Sequence, residues 1–365
     1  MTTRIGVYIH IPFCRHKCFY CDFHSVTGIE ERIEEYVNAA ICEIGRWSVK
    51  ARGHNVRSIF FGGGTPSLLQ PAQVKKIITA VTKNYEVESG AEITMEANPE
   101  SLTLSKLRGY LKAGVNRVSI GVQSLNNDLL KKLDRIHTKE QALTAIKLAS
   151  DAGFKNISAD MMFGLPGQNV TGWLKELEEL TTCELNHISC YQLTPEPGTP
   201  LGRQVAKGSI ELPEAGAEFF NKTERFLKKR EFGHYEISNY AKPGYESVHN
   251  TGYWEYRDYI GVGAGAHSAM EGERWANVKS IAPYIAKVRR CGRAVYKSEK
   301  LTSEMIQTEQ LMMGLRLKKG IPFDGIAMTE GITKMLSTGM LKKTRTRLLA
   351  TAKGWRVLDS VLAEL

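Results

Sequence analysis

Tyr8-Ile-His-Ile-Pro-Phe-Cys14-Arg-His-Lys-Cys18-Phe-Tyr-Cys21 gathers three thiols into eight residues, directly after an apolar run that begins at Ile5. The Cys14-x3-Cys18-x2-Cys21 spacing lets three thiolates converge on one centre, and thiolates are the soft ligands that hold iron–sulfur clusters. A four-iron cluster takes four ligands, and this loop offers three. Position 23 is Phe23, and the remaining cysteines, Cys42, Cys183, Cys190 and Cys291, stand singly. One iron is therefore left open to a ligand that is not protein. Zinc is a competing reading, with His10, His16 and His24 close by, but structural zinc wants four ligands and no paired C-x2-C follows downstream. Unrelated thiols are the other alternative.

Outward from this loop, as far as about residue 195, strand-like and helix-like segments alternate. The strand pattern falls at Ile5–Ile11, Val56–Phe61, Glu92–Glu96, Arg117–Val122, Asn156–Phe163 and His187–Leu193, read as short, apolar and β-branched. Amphipathic helices lie between, clearest where Ile29, Ile33, Val37, Ile41 and Ile44 recur at helical steps and again at Trp173, Leu174, Leu177 and Leu180. Six β-then-α units imply parallel strands with right-handed crossovers, hence an α/β fold with a partial (β/α)6 TIM-type barrel over residues 1–200. Working residues then belong at the strands' carboxyl ends.

Strand two ends in Gly62-Gly63-Gly64-Thr65-Pro66-Ser67, where glycines let backbone amides approach a ligand; the plain reading is a tight strand-to-helix turn. Strands three, four and five end in Glu96-Ala-Asn-Pro99, Gly121-Val-Gln123-Ser124 and Asp160 through Gly167, each with one polar side chain in an apolar run. Buried polar groups need partners, so three at successive strand ends suggest convergence on a polar ligand, although each alone also fits loop capping. Glu96 can accept from an ammonium, Asp160 from ribose or ammonium groups, and Gln123 can donate or accept. Arg135 can pair with a carboxylate, although a helical arginine is ordinarily a surface residue.

Residues 201–295 read as an extension and lid. A helix at about Glu214–Arg230 precedes His234–Tyr240, Ser247-Val-His249-Asn250-Thr-Gly-Tyr253-Trp254 and the glycine-rich Gly261–Ser268, an aromatic, irregular stretch suited to a lid or second binding surface. His249 is by default a packed histidine; exposed among flat aromatics, it also has the character of an axial haem ligand. Residues 296–365 read as a helical, winged-helix-like domain. Met305, Thr308, Leu311, Met312 and Leu315 share a helix face, a shorter helix spans about Gly331–Thr338, a basic hairpin runs from Lys342 to Lys353, and Trp355, Leu358, Leu362 and Leu365 stripe a last helix.

Over 365 residues, 42% are hydrophobic and 24% charged, and no apolar run approaches the ~18–20 residues of a membrane span. No secretory or transit segment is expected, and seven cysteines, an odd number with three clustered, fit a reducing compartment, so the expected location is cytoplasmic. The excess of 49 Lys+Arg over 39 Asp+Glu, a net charge of +10, favours anionic partners: nucleic acid, an anionic membrane surface, or the propionates of a porphyrin. The basic hairpin, in its plain reading, is a solvated face.

These motifs resemble the radical S-adenosylmethionine (SAM) enzymes, whose cysteine loop has this spacing and an aromatic residue, here Tyr20, before the third cysteine. Nearly the whole chain is similar to the oxygen-independent coproporphyrinogen III dehydrogenase family, through Tyr8–Cys14, Gly62–Ser67, Glu96–Pro99, Gly121–Ser124, Asp160–Gly167, Glu236–Asn239 and His249-Asn250 with Tyr253-Trp254. The resemblance implies that Cys14, Cys18 and Cys21 ligate a 4Fe-4S cluster, while Tyr8, Tyr20, Gly63, Gly64, Thr65, Glu96, Gln123, Arg135 and Asp160 surround SAM. It also implies that SAM chelates the open iron and that reduction splits it into methionine and a 5′-deoxyadenosyl radical.

Two departures bear on the branch. The dehydrogenase carries a further cysteine two residues past the third ligand, here Phe23, and an amino-terminal extension, whereas this chain starts its strand at Ile5. His249-Asn250-x2-Tyr253-Trp254, conversely, resembles the haem-binding element of the family's haem-chaperone branch. That branch implies haem docked near the barrel mouth with His249 on its iron, supported by Asn250, Tyr253 and Trp254, a haem-acceptor protein, and a reductant for the cluster. The alternative is an oxidoreductase of the dehydrogenase type that decarboxylates propionates to vinyl groups. A nucleic-acid-modifying radical SAM enzyme is the remotest reading, resting on the basic hairpin alone.

Overall fold

The alternation along each strand decides what the barrel contains. The computed structural model describes residues 3–324 and 326–365. Strands β1 (Thr3–Ile11), β2 (His54–Gly63), β3 (Glu86–Ala97), β4 (Arg117–Gln123), β5 (Ile157–Phe163) and β6 (His187–Gln192) pair in parallel and in chain order, as the six-unit pattern predicts. Side chains two residues apart share a face. One face carries Val7, Ile9, Ile59, Phe61, Met95, Val118, Ile120, Ala159, Met161 and Ile188, which join the main hydrophobic core with the surrounding helices. The other carries Tyr8, His10, Ser58, Glu92, Glu96, Arg117, Ser119, Asp160 and Ser189. Reading these strands as simply apolar is therefore corrected: their inner wall is polar, and register joins it, with Ser58 opposite Glu92, Glu96 opposite Ser119, and Asp160 opposite Ser189.

The helices pack where the periodicity places them. Ile33–Trp47 buries Tyr36, Val37, Ala40, Ile44 and Trp47, and Val170–Leu180 buries Trp173, Leu177 and Leu180. Glu43, on the buried face of the first, is fully enclosed. It accepts from Gly263 N at 2.9 Å, Asn277 Nδ2 at 2.7 Å, the Tyr284 hydroxyl at 2.7 Å and the Trp47 indole at 3.2 Å. Burial raises this carboxyl, and its four donors pull it back down.

Residues 201–295 mix helices with short strands that join the barrel sheet. Strands β7 (Gly233–Glu236) and β8 (Asn239–Ala241) extend the barrel past β6, while β9 (Tyr259–Val262), β10 (His267–Met270), β11 (Glu273–Asn277) and β12 (Val295–Lys300) extend it past β1, giving twelve strands in the order β12-β11-β10-β9-β1-β2-β3-β4-β5-β6-β8-β7. Short strands interrupted by aromatics concealed this, because only β9 follows its neighbour β1 in parallel. The glycine-rich Gly261–Ala266 segment packs against the core: a Cβ on Gly263, whose φ is +112°, would lie 2.6 Å from the His10 carbonyl oxygen.

The last segment has its own small core of Leu311, Leu315, Ile321, Ile332, Met335, Leu341, Leu348, Trp355, Leu358 and Val361. Helices Ser303–Gly314 and Glu330–Ser337 and the sheet β13 (Ile321–Pro322), β15 (Arg347–Ala350), β14 (Leu341–Lys343) give the winged-helix-like order that the sequence suggests. Two details differ. Residues up to Lys300 belong to the main sheet through β12, and Met312 points to solvent, 45% exposed.

Removing the Glu43 carboxylate strands four donors in a dry interior. Glu43→Ala is expected to lower unfolding free energy by about 3 kcal/mol, measured by urea denaturation; a loss below about 1 kcal/mol rejects this role.

Candidate cluster and cofactor site

The cysteine loop leaves β1 at its carboxyl end, where barrel chemistry is expected. Its backbone is fixed by its neighbours: Cys14 N donates to Val26 O at 2.9 Å, Gly64 N to Ile11 O at 2.9 Å, and Thr65 N to Phe13 O at 2.8 Å. The glycine turn after β2 thus spends its amides on the cysteine loop. Gly63 N donates to Glu96 Oε2 at 3.2 Å. A Cβ on Gly64 would lie 2.7 Å from Phe13 O and 2.9 Å from Cys14 Sγ, so only glycine permits this approach. The Thr65 hydroxyl donates to Cys14 Sγ at 3.3 Å, and Arg135 Nη1 lies 3.6 Å from Cys18 Sγ. Burial and mutual crowding raise the Cys18 and Cys21 thiols.

Arg135 is not a surface residue. Its Nη2 donates to Asn98 Oδ1 at 3.1 Å and Gly121 O at 3.0 Å, tying the ends of β3 and β4 to the cysteine loop. Gln123, at the end of β4, holds φ +66°, a conformation uncommon for a residue with a side chain and frequent at ligand sites. Tyr20 packs among Leu129, Leu133, Met162 and Leu165 beside this cluster of groups.

Deeper in the barrel, Glu96 and Asp160 face each other across the polar wall. Burial, then the Asp160 charge, pushes Glu96 up to about 8, against the Gly63 N–H that lowers it. Asp160 accepts from Ser189 at 2.7 Å and from Ser119 at 3.1 and 3.2 Å, and burial raises it too. The Tyr8 hydroxyl meets His10 Nδ1 at 3.0 Å. Eight of the nine residues expected around SAM therefore come from the cysteine loop, strand ends or inner wall of one barrel, and Arg135 reaches them from the turn between the helices Asn127–Lys132 and Lys139–Ala152. Asn98, Ser119 and Ser189 were missed as contributors. Asn98 lay inside the quoted Glu96–Pro99 run, and the serines were legible as polar residues alternating with apolar ones.

His249 follows its default reading as a packed, hydrogen-bonded histidine rather than the exposed one. It is buried on the short helix Val248–Trp254, its Nδ1 paired with Ser58 Oγ at 2.8 Å and its Nε2 with the Tyr253 hydroxyl at 2.9 Å. Phe60 and Tyr8 stack on the ring at 4.9 and 6.3 Å. Glu92 accepts from the amides of Val248 and His249 at 3.0 and 3.1 Å, anchoring the helix start. Gly6, Ser58 and Glu92 form one row at mid-strand, and the helix leads into the amino end of β9, which runs parallel to β1, so this helix lies toward the barrel end away from the cysteines. The expectation of an exposed imidazole is corrected accordingly, and His249 does not stand at the mouth that carries the cysteines. Asn250 and Trp254 are half-buried, and the Trp254 indole nitrogen has no partner among the described residues.

A family model for the radical SAM superfamily matches residues 8–180. The chain is 37% identical to the heme chaperone HemW of Bacillus subtilis (strain 168), over 87% of this chain and 84% of that protein. The chain belongs to the HemW family of radical SAM proteins. It is also 41% identical to the heme chaperone HemW of Escherichia coli (strain K12), over 73% of this chain and 70% of that protein. To the Danio rerio protein named radical S-adenosyl methionine domain-containing protein 1, mitochondrial, it is 38% identical over 87% and 73% of the two chains. The solved coproporphyrinogen III oxidase (HemN) of Escherichia coli shares the fold, with a TM-score of 0.86 and 21% identity over 100% of this chain and 90% of that one.

Radical SAM membership implies a 4Fe-4S cluster and SAM, and this HemW-family chain has residues that fit both. Three free thiols stand on one braced loop, and a fourth candidate position holds Phe23, 63% exposed. Among the described residues, no three His, Cys, Asp or Glu side chains close on a point as the ligands of a single ion do. A cluster offering a separate iron to each thiolate needs no such point. Buried carboxylates, a strained Gln123 and the Arg135 Nε that lacks a partner supply polar groups for SAM.

Two outcomes follow for this HemW-family site. Gly64→Ala is expected to lower iron and sulfide per chain at least twofold after anaerobic reconstitution, whereas Gly198→Ala, with nothing within 4 Å of its added Cβ, leaves them unchanged. Equal loading of both variants rejects the close-approach argument. Because Glu96 holds its proton up to about 8 when folded, the folded state binds more protons than the unfolded one above the ordinary carboxylate range. Stability of the cluster-free protein therefore falls as pH rises from about 5 to 8. Glu96→Gln should flatten that fall, seen in urea midpoints at three pH values; an unchanged slope contradicts it.

Proposed function

We propose that this chain is a haem chaperone of the radical SAM class, which binds a 4Fe-4S cluster, SAM and haem and passes haem to an acceptor protein. The observation that carries this reading is the 37% identity, over 87% of the chain, to a protein named heme chaperone HemW. Phe23 at the position of the dehydrogenase's further cysteine supports it, and the dehydrogenase reading has the shared fold alone behind it. Cys14, Cys18 and Cys21 hold the cluster. Tyr8, Tyr20, Gly63, Gly64, Thr65, Glu96, Gln123, Arg135 and Asp160 hold SAM. Bound together, the two groups supply one-electron reductive chemistry, for which a cellular reductant is required. Within the chain, Arg135 braces the cysteine loop, the Gly63 amide orients Glu96, and Ser119 and Ser189 orient Asp160. The cytoplasm, a reducing compartment, suits free thiols.

His249 is the proposed iron ligand. Burial and the Arg117 charge push it down to about 3, so it is the neutral imidazole that ligates metals. Nε2 must then exchange the Tyr253 hydroxyl for iron.

A haem titration of anaerobically reconstituted protein, followed in the Soret region, tests this. A saturable one-to-one shift is expected for the native chain. His249→Ala should abolish it, and Tyr253→Phe, which frees Nε2, should preserve or strengthen it. No shift in the native chain overturns the chaperone reading; an undiminished shift in His249→Ala removes His249 as ligand.

A further inference from the structure

Beneath the Val248–Trp254 helix, at the pole opposite the cysteine loop, lies a cavity of about 820 Å³. Its size is within the ~300–1,000 Å³ of small-molecule sites. Four cations line it: Arg57, which enters from β2, Arg257, which follows the helix, and Lys318 and Lys319 from the carboxyl-terminal domain. Their charges are unequally occupied. Glu255 pairs with both Arg257 and Lys319, while Lys318 has one long contact, 3.8 Å to Glu224. Arg57 has no carboxylate partner among the described residues. Glu246, the other acid on the wall, accepts from the amide of Gly244 at 3.1 Å.

Between these cations the wall carries the apolar surface of Tyr235, Val248 and Leu317, with His234 and Thr251 beside them. A narrow adjoining crevice, sharing Arg57, Val248 and Arg257 with the cavity, leads to Gly6, Ser58 and His249. A ligand suited to these walls is a planar apolar body bearing two anionic groups on one edge.

We propose that this cavity receives the propionate edge of the haem carried by the chain, with Arg57 and Lys318 taking the two carboxylates; this rests on the haem-chaperone reading. Arg257 and Lys319, fixed by Glu255, set the positive field around them. The carboxylates meet charged donors, one without a carboxylate partner among the described residues and one held only by the long contact to Glu224. Haem thus docks at the amino-terminal pole, with the barrel between it and the cluster.

The test is a Soret titration of full-length, cluster-reconstituted protein with haemin and with haemin dimethyl ester, which lacks the carboxylates. It compares the native chain with Arg57→Gln, Lys318→Gln and the double charge reversal Arg57→Glu/Lys318→Glu. Iron content and circular dichroism establish that each variant is folded, and Lys318, 58% exposed, is a safe position for substitution. The expected result is at least a tenfold weaker haemin affinity in the double variant, intermediate losses in the single ones, and weak ester binding that no variant changes. If the native chain binds haemin and the double variant binds it equally well, the cavity assignment falls and the chaperone reading stands. If the native chain binds neither compound, both fall.

Discussion

Arg117 is the permanent cation of the barrel interior, and the polar wall depends on it. It is 2% exposed, with Nε 4.0 Å from Glu92; burial raises Glu96 and Asp160 and its charge opposes that rise, while burial, then its charge, lowers His187 and His249. Without it, three carboxylates would share a low-dielectric space with only neutral amide and hydroxyl donors to satisfy them. With it, the acids form a graded set: Glu92 is committed to a helix start, Asp160 to two serines, and Glu96 to one amide. Glu96 retains the most unused accepting capacity, and it stands beside the glycine turn that braces the cysteines.

The barrel, its six strands and the cysteine loop were legible in the sequence because their signals are local: a spacing, a period and a glycine run. The strand ends were legible for the same reason, and Arg135, placed by resemblance although a helical arginine is ordinarily at the surface, stands in the turn between the helices Asn127–Lys132 and Lys139–Ala152. What stayed hidden was non-local. The inner wall alternates Glu92, Thr94, Glu96 and Arg117, Ser119, Gly121, but scoring each strand for total apolarity averaged that alternation away. The sheet extensions escaped because β7, β8 and β10 are three or four residues each and take their stability from neighbours distant in sequence. Burial of His249 could not be read from its motif, since Ser58 and Glu92 reach it from more than 150 positions away.

The two motif centres that the sequence made prominent lie at opposite ends of one barrel. A continuous set of contacts joins them. His249 stacks on Tyr8, the Tyr8 hydroxyl meets His10, and His10 Nε2 meets the carbonyl of His24 at 2.9 Å, just beyond the cysteines. Burial holds His10 at about 4, so the column contains no mobile positive charge near neutrality. The contacts are packed and neutral, so the two ends of the barrel are joined through aromatic stacking and hydrogen bonds rather than through ion pairs.

The hydrogen bonds from Gly64 and Thr65 to the carbonyls of Ile11 and Phe13 also bear on assembly. They fix the backbone just before the first cysteine when the chain folds, and the pairing of Pro12 and Cys14 with Val26 closes the two ends of the loop. Cluster insertion then has to order only the segment between those ends, which carries Cys18 and Cys21. The entropy of closing that loop is thereby met by folding of the barrel rather than by metal–thiolate bonding.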